Sequence, residues 1–257
     1  MFNNNQSWFG SLPSVTKNLL IINVLFWLAA ITLPQFTGIR LENYLGLHYW
    51  QSDRFNPAQL ITYMFMHSTR SITHLFFNMF AVFIFGSVLE RTWGSKRFLT
   101  YYMITGIGAG IIQQIVWTID VYPLINTMSQ AINSNSIEPL LAYQTKLSKH
   151  FSFNNLEKIP ISHITQMKSI LQNSLNVVGA SGSVFGLLLA FGMLFPHQPL
   201  YLMFIPVPIK AKYFVIGYAV LTLLMGVANF SFDNIAHFAH LGGMIFGYFL
   251  IQHWRKY

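Results

Sequence analysis

Three features of the sequence predict an all-α, polytopic membrane protein. Hydrophobic residues make up 53% of the 257-residue chain and charged residues only 9%, whereas soluble domains contain roughly 25% charged residues. Six apolar segments follow one another along the chain, and a helix needs about 20 mostly apolar residues to cross a bilayer. Basic residues flank these segments, where they orient membrane proteins. We therefore expect a bundle of six transmembrane helices.

The composition also excludes several classes of site and partner. The chain has no cysteine, which excludes disulfides, thiolate metal sites and a cysteine nucleophile. The net charge of +8 would suit nucleic acid, but the basic residues form no patch interleaved with aromatic residues. We expect the lipid bilayer, and no nucleic acid, among the partners. The first fifteen residues are polar without Lys or Arg, so no secretory signal is predicted.

The first half of the chain contains three of the predicted spans. They are Leu19 to Leu33, Thr73 to Leu89 and Phe98 to Ile119. Residues 35–73 combine Trp and Tyr with polar groups, and such aromatic residues favour the membrane interface. We predict a loop there that lies partly in the headgroup region. A charged turn at residues 90–97 joins the second span to the third.

A polar insert follows the third span at about residues 120–173. Asn, Ser, Gln and Lys dominate it, and its apolar periodicity is faint. We predict that it is exposed to water, with short helices near residues 137–149 and 161–171. Apart from this insert, residues 1–257 are expected to form a single membrane domain. Three further spans complete the bundle: residues 175–196, 213–227 and 235–252.

The distribution of charge predicts the orientation of the chain. Six spans place both termini on the same side of the membrane. With the termini inside, the inner segments hold eight basic residues and Glu90 as the only acid: Lys17, Arg91, Lys96, Arg97, Lys210, Lys212, Arg255 and Lys256. In the outer segments, seven basic residues are nearly offset by six acids. Positive charge inside predicts cytoplasmic termini, and places the 35–73 loop and the insert outside.

A glycine-rich run at residues 179–186 contains the first candidate functional residue, Ser181. Its sequence is Gly-Ala-Ser-Gly-Ser-Val-Phe-Gly. The glycines at 179 and 182 allow sharp bends and the close approach of another backbone, and Gly182 and Gly186 form the small-xxx-small pattern of closely packed membrane helices. Two interpretations of Ser181 stay open here: a packing serine, or a nucleophile that needs a base to accept its proton.

Other polar side chains lie within predicted spans, where such groups are costly and indicate function. They are His74, Asn78, Gln113, Gln114, His237 and His240. His74 and Asn78 are four residues apart and therefore share a helix face. At about 1.5 Å per residue from the outer end of each span, Asn78 lies roughly 12 Å deep, Ser181 roughly 8 Å and His240 roughly 10 Å. These three groups can meet at one depth, which favours the nucleophile.

Glycines follow His240 with the spacing found around Ser181. Gly243 and Gly247 form a second small-xxx-small pair, and two helices that each offer a glycine groove can approach closely. The sequence therefore predicts that the helices carrying Ser181 and His240 pack until the serine and the histidine touch.

The same residues suit acyl-transfer chemistry. His240 could accept the proton of Ser181 as general base and return it to a leaving amine as general acid. An attacked carbonyl group would develop negative charge, for which the His74 ring and the Asn78 amide are suitable donors. For His237, a packing or supporting role is favoured over catalysis.

Four motifs together identify a resemblance. They are the run at 179–186, Ala-His-Leu-Gly-Gly-x-x-x-Gly at 239–247, His-x-x-x-Asn at 74–78 and Leu-Glu-Arg-x-x-Gly-Ser-Lys-Arg-Phe at 89–98. In this order and on these spans, the motifs resemble the rhomboid family of intramembrane serine proteases, and they extend over nearly all of residues 60–250. The resemblance implies a rhomboid-like bundle with an embedded first loop, in a bacterial inner (cell) membrane, with the active site open to the outer face.

The resemblance also implies roles for individual residues. It implies a Ser181–His240 dyad without an acidic third member, and an oxyanion site formed by His74, Asn78 and the backbone N–H of Ser181. Phe185 falls where the family usually has an aromatic residue packed on the catalytic histidine.

Further expectations follow from the resemblance for water, substrate and the insert. Gln113 is similar to a glutamine that helps hold water near the site, and the fifth span corresponds to a lateral gate. The substrates would be single-span membrane proteins, cut near the outer face. The insert is longer than the family's usual connection. From its polarity and faint periodicity, and not from the resemblance, we expect that a short linker in place of residues 125–165 leaves cleavage within roughly tenfold, or about 1.4 kcal/mol.

Other functions agree less well with the sequence. A zinc protease would need a His-Glu-x-x-His motif, which is absent, and an aspartyl protease would need paired acids within the bilayer. No metal or other cofactor is expected. A small-solute transporter is disfavoured because the polar groups gather at one depth. An inactive relative that binds transmembrane helices stays open as the alternative, although a pure binder has no need of both Ser181 and His240.

Overall fold

The structure is a computed structural model that describes residues 8–202, 205–228 and 236–255. Its long helices form a bundle, and six of them correspond to the predicted spans. In chain order the long helices are α1 (Ser14–Thr37), α2 (Ile72–Ala81, continued by the π-helical segment Val82–Gly86 and by Ser87–Trp93), α3 (Ser95–Ser134), α4 (Ile161–Ser174), α5 (Ser181–Leu194), α6 (Ala211–Ala228) and α7 (His237–Arg255).

Short elements connect the long helices. The short helices are Trp8–Ser11, Glu42–Leu45, Gln59–Thr62, Tyr63–Phe65, Glu138–Leu141, Gln144–Ser148 and Leu156–Lys158. Two antiparallel strand pairs join β1 (Leu47–His48) to β2 (Asn176–Val177), and β3 (Pro199–Leu202) to β4 (Ile205–Lys210). In the first pair, Leu47 lies opposite Val177 and His48 lies opposite Asn176.

Within the described residues, four helices are long and apolar enough to cross a membrane: α1, α2, α3 and α6. Helix α5 is apolar but has only 14 residues, and α7 has 19 residues that include histidines and glycines. The prediction of an all-α, polytopic membrane protein is confirmed.

Helix α3 extends past the end predicted for the third span. The prediction ended this span at Ile119, whereas the helix continues through Pro123 to Ser134. Apolar residues recur at helical spacing on one face of this extension, and they are buried: Val121, Leu124, Ile125, Met128 and Ala131. The polar residues on the opposite face masked this period, which is the primary signal for a helix.

The insert has a hydrophobic cluster of its own. Leu140, Leu147, Leu156 and Ile164 pack against the extension of α3, and Tyr49 of the first loop lies fully buried among them. An ion pair of 2.9 Å between Lys146 and Asp120 ties the insert to α3. The insert is therefore a packed cap over the first loop and not a loose polar segment.

The first loop, residues 38–71, is organised around the buried side chain of Gln59. Its amide group donates to the carbonyl oxygens of Tyr44 and Arg54 at 3.0 and 2.8 Å, and its oxygen accepts the backbone N–H groups of His48 and Asn56. One side chain thus satisfies backbone groups from several turns, which stabilises a loop with little regular structure.

Helix α3 lies at the centre of the bundle and packs against both α5 and α7, which also contact each other. Its small residues permit this position: a Cβ atom at Gly106 would overlap Met64, and one at Gly108 would overlap Phe246. The Tyr63 hydroxyl donates to the Gly106 carbonyl oxygen at 2.7 Å. These glycines of α3 are thus in contact with neighbouring elements.

Candidate active site

The candidate site begins where extended chain changes to helix at the start of α5. Strand β2 ends at Val177, Gly179 adopts a φ of 139°, and α5 begins at Ser181. Glycine adopts such a φ far more readily than other residues. This helix begins later than the predicted residue 175 because Asn176 and Val177 pair with β1 as a strand. The first N–H groups of a helix lack partners within it, so the backbone N–H of Ser181 can bind a ligand.

His240 lies beside Ser181 on the first turn of α7. Its Nε2 atom is 2.8 Å from the Oγ atom of Ser181, which is hydrogen-bond distance. The two helices meet backbone to backbone here, because a Cβ atom at Gly243 would overlap the carbonyl group of Gly182. The structure thus brings the two residues of the predicted dyad together through a glycine contact.

The second glycine of each helix packs against α3. A Cβ atom at Gly186 would lie 2.7 Å from Thr105, and one at Gly247 would overlap the Tyr101 hydroxyl. The predicted contact between the two glycine pairs is thus made by Gly182 and Gly243, whereas Gly186 and Gly247 both face α3. Helix α3 therefore contacts both α5 and α7 one turn beyond the Gly182–Gly243 contact.

An aromatic stack holds the His240 ring. Phe185, one turn beyond Ser181, stacks on this ring with centroids 4.2 Å apart and an interplanar angle of 17°. Tyr218 of α6 also stacks on Phe185, with ring centroids 4.9 Å apart. Phe214 in turn stacks on Tyr218, with ring centroids 5.8 Å apart. Sequence reasoning missed Tyr218 and Phe214, although their four-residue spacing places both on one face of a helix.

The His74 ring faces the same small space as Ser181. Its Nδ1 atom accepts the backbone N–H of Ser68 at 3.3 Å, which leaves the ring proton on Nε2. Nε2 lies 3.0 Å, and the Ser181 Oγ atom 3.6 Å, from the position that a Cβ atom at Gly179 would occupy. Glycine at this position therefore keeps the space between the histidine and the serine clear.

Asn78 lies one turn deeper on the same face of α2, where it is 6% exposed. Its Nδ2 atom donates to the carbonyl oxygen of His74 at 2.8 Å. An amide group has two hydrogens on this nitrogen, so one remains for a second acceptor.

Comparison with known protein families agrees with this geometry. The sequence model of the Rhomboid domain matches residues 54–121 and 153–255, which is more than half of the chain. The chain belongs to the rhomboid family. A comparison with curated proteins gave no match. Rhomboids are in general intramembrane serine proteases, and some members are inactive.

The two matched ranges leave out residues 122–152 of this rhomboid. The unmatched segment contains the end of α3 and two short helices, Glu138–Leu141 and Gln144–Ser148. The family match resumes at residue 153, before α4 and β2, which lead directly into the site.

The two predicted glutamines of α3 have different surroundings in this rhomboid. Gln113 is buried, one turn beyond Ala109, which contacts the position of a Cβ atom at Gly182. Gln114 instead binds the first loop: its oxygen accepts the backbone N–H of Trp50 at 3.0 Å, and its amide donates to the carbonyl oxygen of His48 at 2.6 Å. Gln113 is therefore the one whose position suits a role near the site.

Two further histidines lie near Ser181 and His240 in this rhomboid. His237 is buried one turn before His240, against Gly226 of α6. His67 is 2% exposed, and its ring centroid is 5.2 Å from that of His74. Neither ring nitrogen of His67 has a well-aligned hydrogen-bond partner. Burial, helped by the neighbouring His74, lowers the pKa of His67 from 6.5 to about 3.

The described part of this rhomboid offers no grouping for a metal. Across residues 8–202, 205–228 and 236–255, no three His, Asp or Glu side chains converge in a way that could hold an ion. The groups that converge on Ser181 are a histidine base, hydrogen-bond donors and an aromatic stack.

Proposed function

We propose that this rhomboid is an active intramembrane serine endopeptidase that uses a dyad of Ser181 and His240. The observation that carries the proposal is the distance of 2.8 Å between Oγ of Ser181 and Nε2 of His240. A serine hydroxyl is a weak nucleophile unless a base accepts its proton, and here a base lies within hydrogen-bond distance.

The proposed reaction has two acyl-transfer steps. Oγ of Ser181 attacks the peptide carbonyl carbon while His240 Nε2 takes the hydroxyl proton. The tetrahedral intermediate collapses, the C–N bond breaks, and His240 returns the proton to the leaving amine. A water molecule then attacks the acyl-enzyme with His240 again as base, and Ser181 leaves with its proton restored. Phe185 keeps the imidazole ring in one orientation through both steps.

Three donors would stabilise the negative charge of the intermediate. They are the backbone N–H of Ser181, the Nε2–H of His74 and the amide of Asn78. The first belongs to a helix N-terminus, which favours an anion, and the second faces the space beside Gly179. Donors fixed before the reaction begins act without the cost of reorienting during it.

The proposed substrates are single-span membrane proteins that are cut near the outer face. The site lies at the end of the bundle where the first loop and the insert are found, and the charge distribution predicts that this end faces outward. A stable helix hides its peptide bonds in its own hydrogen bonds, so the substrate segment would have to be unwound. Mass spectrometry of the products should map the cut to the outer third of the substrate span.

A cleavage assay in proteoliposomes tests this proposal. Ser181→Ala and His240→Ala should each reduce cleavage of a single-span substrate to background, and the double variant should be no worse, because nucleophile and base act as a unit. The cleavage rate of Asn78→Ala should lie between the wild-type rate and background, with a loss of about 100- to 1,000-fold, as is typical for the removal of one oxyanion donor. A fluorophosphonate probe should label the wild type and fail to label Ser181→Ala.

Ser183→Ala is the matched control. Ser183 lies two residues from the nucleophile, but its hydroxyl donates to the carbonyl oxygen of Tyr102 at 2.7 Å and belongs to the packing of α5 on α3. This variant should keep cleavage and labelling. Unchanged cleavage in Ser181→Ala would end the protease proposal. Binding of substrate helices by the wild type without any cleavage, across a broad substrate panel, would identify an inactive relative instead.

A further inference from the structure

A cavity of about 480 Å³ opens at the end of the bundle opposite Ser181. It lies between the turn that joins α2 to α3 and the last turn of α7. Its lining residues are Trp93, Gly94, Ser95, Lys96, Arg97, Thr100 and Trp254. None of these residues has a part in the proposed proteolysis, so the cavity needs an explanation of its own.

Lys96 and Arg97 give the lining of the cavity positive charge, and the nearby acid, Glu90, forms no ion pair with either of them. Glu90 lies close in sequence, but its carboxylate accepts the backbone N–H groups of Val15 and Thr16 at 3.0 and 2.7 Å. It also accepts the hydroxyl of Ser95 at 2.7 Å. Glu90 thus serves the N-terminus of α1, where negative charge is favourable.

Lys96 and Arg97 therefore pair with no acidic side chain among the described residues and can bind an anion from outside the protein. In the part of the chain that the structure describes, the one ion pair joins Lys146 to Asp120 at the other end of α3. Lys96 is exposed, and the Arg97 guanidinium lies 4.8 Å from the ring centroid of Trp254. A cation held over an aromatic ring keeps its donors free for an anion.

The backbone and the aromatic rings around the cavity also favour an anionic ligand at the membrane interface. Helix α3 begins at Ser95 in the wall of the cavity, and the dipole of its 40 residues places partial positive charge there. Trp93 and Trp254 pack edge to face at 5.6 Å, and Trp is enriched where a membrane protein meets the headgroups. Exposed Leu99 continues the surface of α3 away from the cavity with an apolar side chain.

We propose that this cavity binds the phosphate group of an anionic phospholipid from the adjacent leaflet. Arg97 and Lys96 would donate to the phosphate oxygens together with backbone N–H groups at the start of α3, and the two Trp rings would contact the glycerol region. Basic pockets among transmembrane helices commonly bind such headgroups. A free phosphate shares the charge, but it gains nothing from the Trp rings or from the apolar surface that leads away from the cavity.

Thermal denaturation of the purified protein in a neutral detergent tests the proposal. Short-chain phosphatidylglycerol should raise the midpoint at lower concentration than short-chain phosphatidylcholine or inorganic phosphate. The variant K96Q/R97Q should need an about tenfold higher concentration of phosphatidylglycerol, since each basic residue contributes to such binding. Native mass spectrometry should show fewer retained phosphatidylglycerol molecules on the same variant.

The variant K210Q/K212Q is the matched control. It removes two positive charges that flank α6 on the side predicted to be cytoplasmic, and Lys212 also lies over an aromatic ring, that of Tyr213, at 4.8 Å. This control should shift the phosphatidylglycerol response less than twofold, as expected for charges outside the cavity. An equal effect in both double variants would overturn the proposal, and so would an equal response to phosphatidylcholine.

Two further comparisons complete the test. Inorganic phosphate that stabilises as well as phosphatidylglycerol would overturn the lipid assignment. If K96Q/R97Q does not fold, the exposed single variant Lys96→Gln replaces it and should still weaken the phosphatidylglycerol response. A Lys96→Gln response identical to that of the wild type would then count against the site.

Discussion

At the scale of single residues, the site depends on how its side chains are held. The Nδ1 atom of His74 accepts the backbone N–H of Ser68, and the carbonyl oxygen of Ser68 accepts the indole N–H of Trp27 from α1 at 3.2 Å. This chain of hydrogen bonds fixes the tautomer of His74 and the direction of its Nε2–H. The orientation of His74, the proposed oxyanion donor, therefore depends on Trp27, which is far from Ser181 and His240 in sequence.

The burial of His67 predicts how the stability of the protein depends on pH. Because burial lowers the pKa of His67 from 6.5 to about 3, the unfolded chain binds a proton there that the folded protein does not. The stability that depends on neutral His67 is complete above about pH 6.5. It decreases as the pH falls toward 3, by up to about 1.4 kcal/mol per pH unit.

Thermal denaturation between pH 8 and pH 4.5 checks this prediction. His67→Phe should match or exceed the wild type at pH 7.5, since replacing an unpartnered buried polar group costs little. It should also lose less stability toward pH 4.5. His163→Phe, which changes an exposed histidine of α4, should keep the wild-type pH dependence. If the melting midpoints of the wild type and His67→Phe decreased equally as the pH falls, His67 would not be the source of the pH dependence.

At the scale of elements, Ser181 and His240 of the proposed dyad meet because three helices pack around small residues. Gly182 and Gly243 let α5 and α7 touch, while Thr105 and Tyr101 of α3 contact the glycines one turn deeper. Contacts between helices in a membrane come from such close packing, because lipid is as apolar as the helices themselves. A methyl group added at the Gly182–Gly243 contact would push α5 and α7 apart and lengthen the distance between Ser181 and His240.

Gly243→Ala should therefore abolish most of the cleavage activity, and Gly243→Val should be worse. The new Cβ atom would overlap the Gly182 carbonyl group, and displacement of catalytic groups by about 1 Å can cost roughly 100-fold in rate. Gly217→Ala on α6 is the control, since nothing lies within 4 Å of its Cβ position. Near-normal cleavage by folded Gly243→Ala would show that backbone contact is not required.

At the scale of the whole molecule, the insert, the first loop and the site form one connected structure. Asn173 at the end of α4 accepts the Ser52 hydroxyl at 2.7 Å and the Asp53 backbone N–H at 3.1 Å. Strand β2, which follows α4, pairs with β1 of the first loop, and Ser181 begins α5 four residues after β2 ends. The insert therefore borders the chain segment that carries the nucleophile.

Replacement of residues 125–165 by a short linker should be more harmful than the sequence suggested. It would uncover Tyr49, Val121 and Leu171, which are buried in the cluster of the insert. We expect cleavage to fall by more than about tenfold, or 1.4 kcal/mol. The melting midpoint should fall by several degrees, since about 1 kcal/mol corresponds to roughly 2–4 °C at this size.

A linker insertion tests whether the deletion acts through lost packing of the hydrophobic cluster or only through a change in loop length. Five Gly/Ser residues inserted between Asn154 and Asn155, which are both exposed, leave the cluster intact and should keep both cleavage and melting midpoint. If the deletion variant cleaves a generic substrate at the wild-type rate, the insert is independent of the site, as its polar composition first indicated.

The sequence by itself determined the membrane class and the order of the spans, and it pointed to the residues around which the candidate site is built. Composition and apolar runs report burial in lipid directly, and Ser181 and His240 belong to short motifs whose glycines imply close packing. Only the tertiary structure decided where α3 ends, which glycines touch each other, and that Tyr218 extends the stack on Phe185. It also revealed the cluster around Tyr49. These features depend on contacts between segments distant in sequence, and local periodicity carries no record of such contacts.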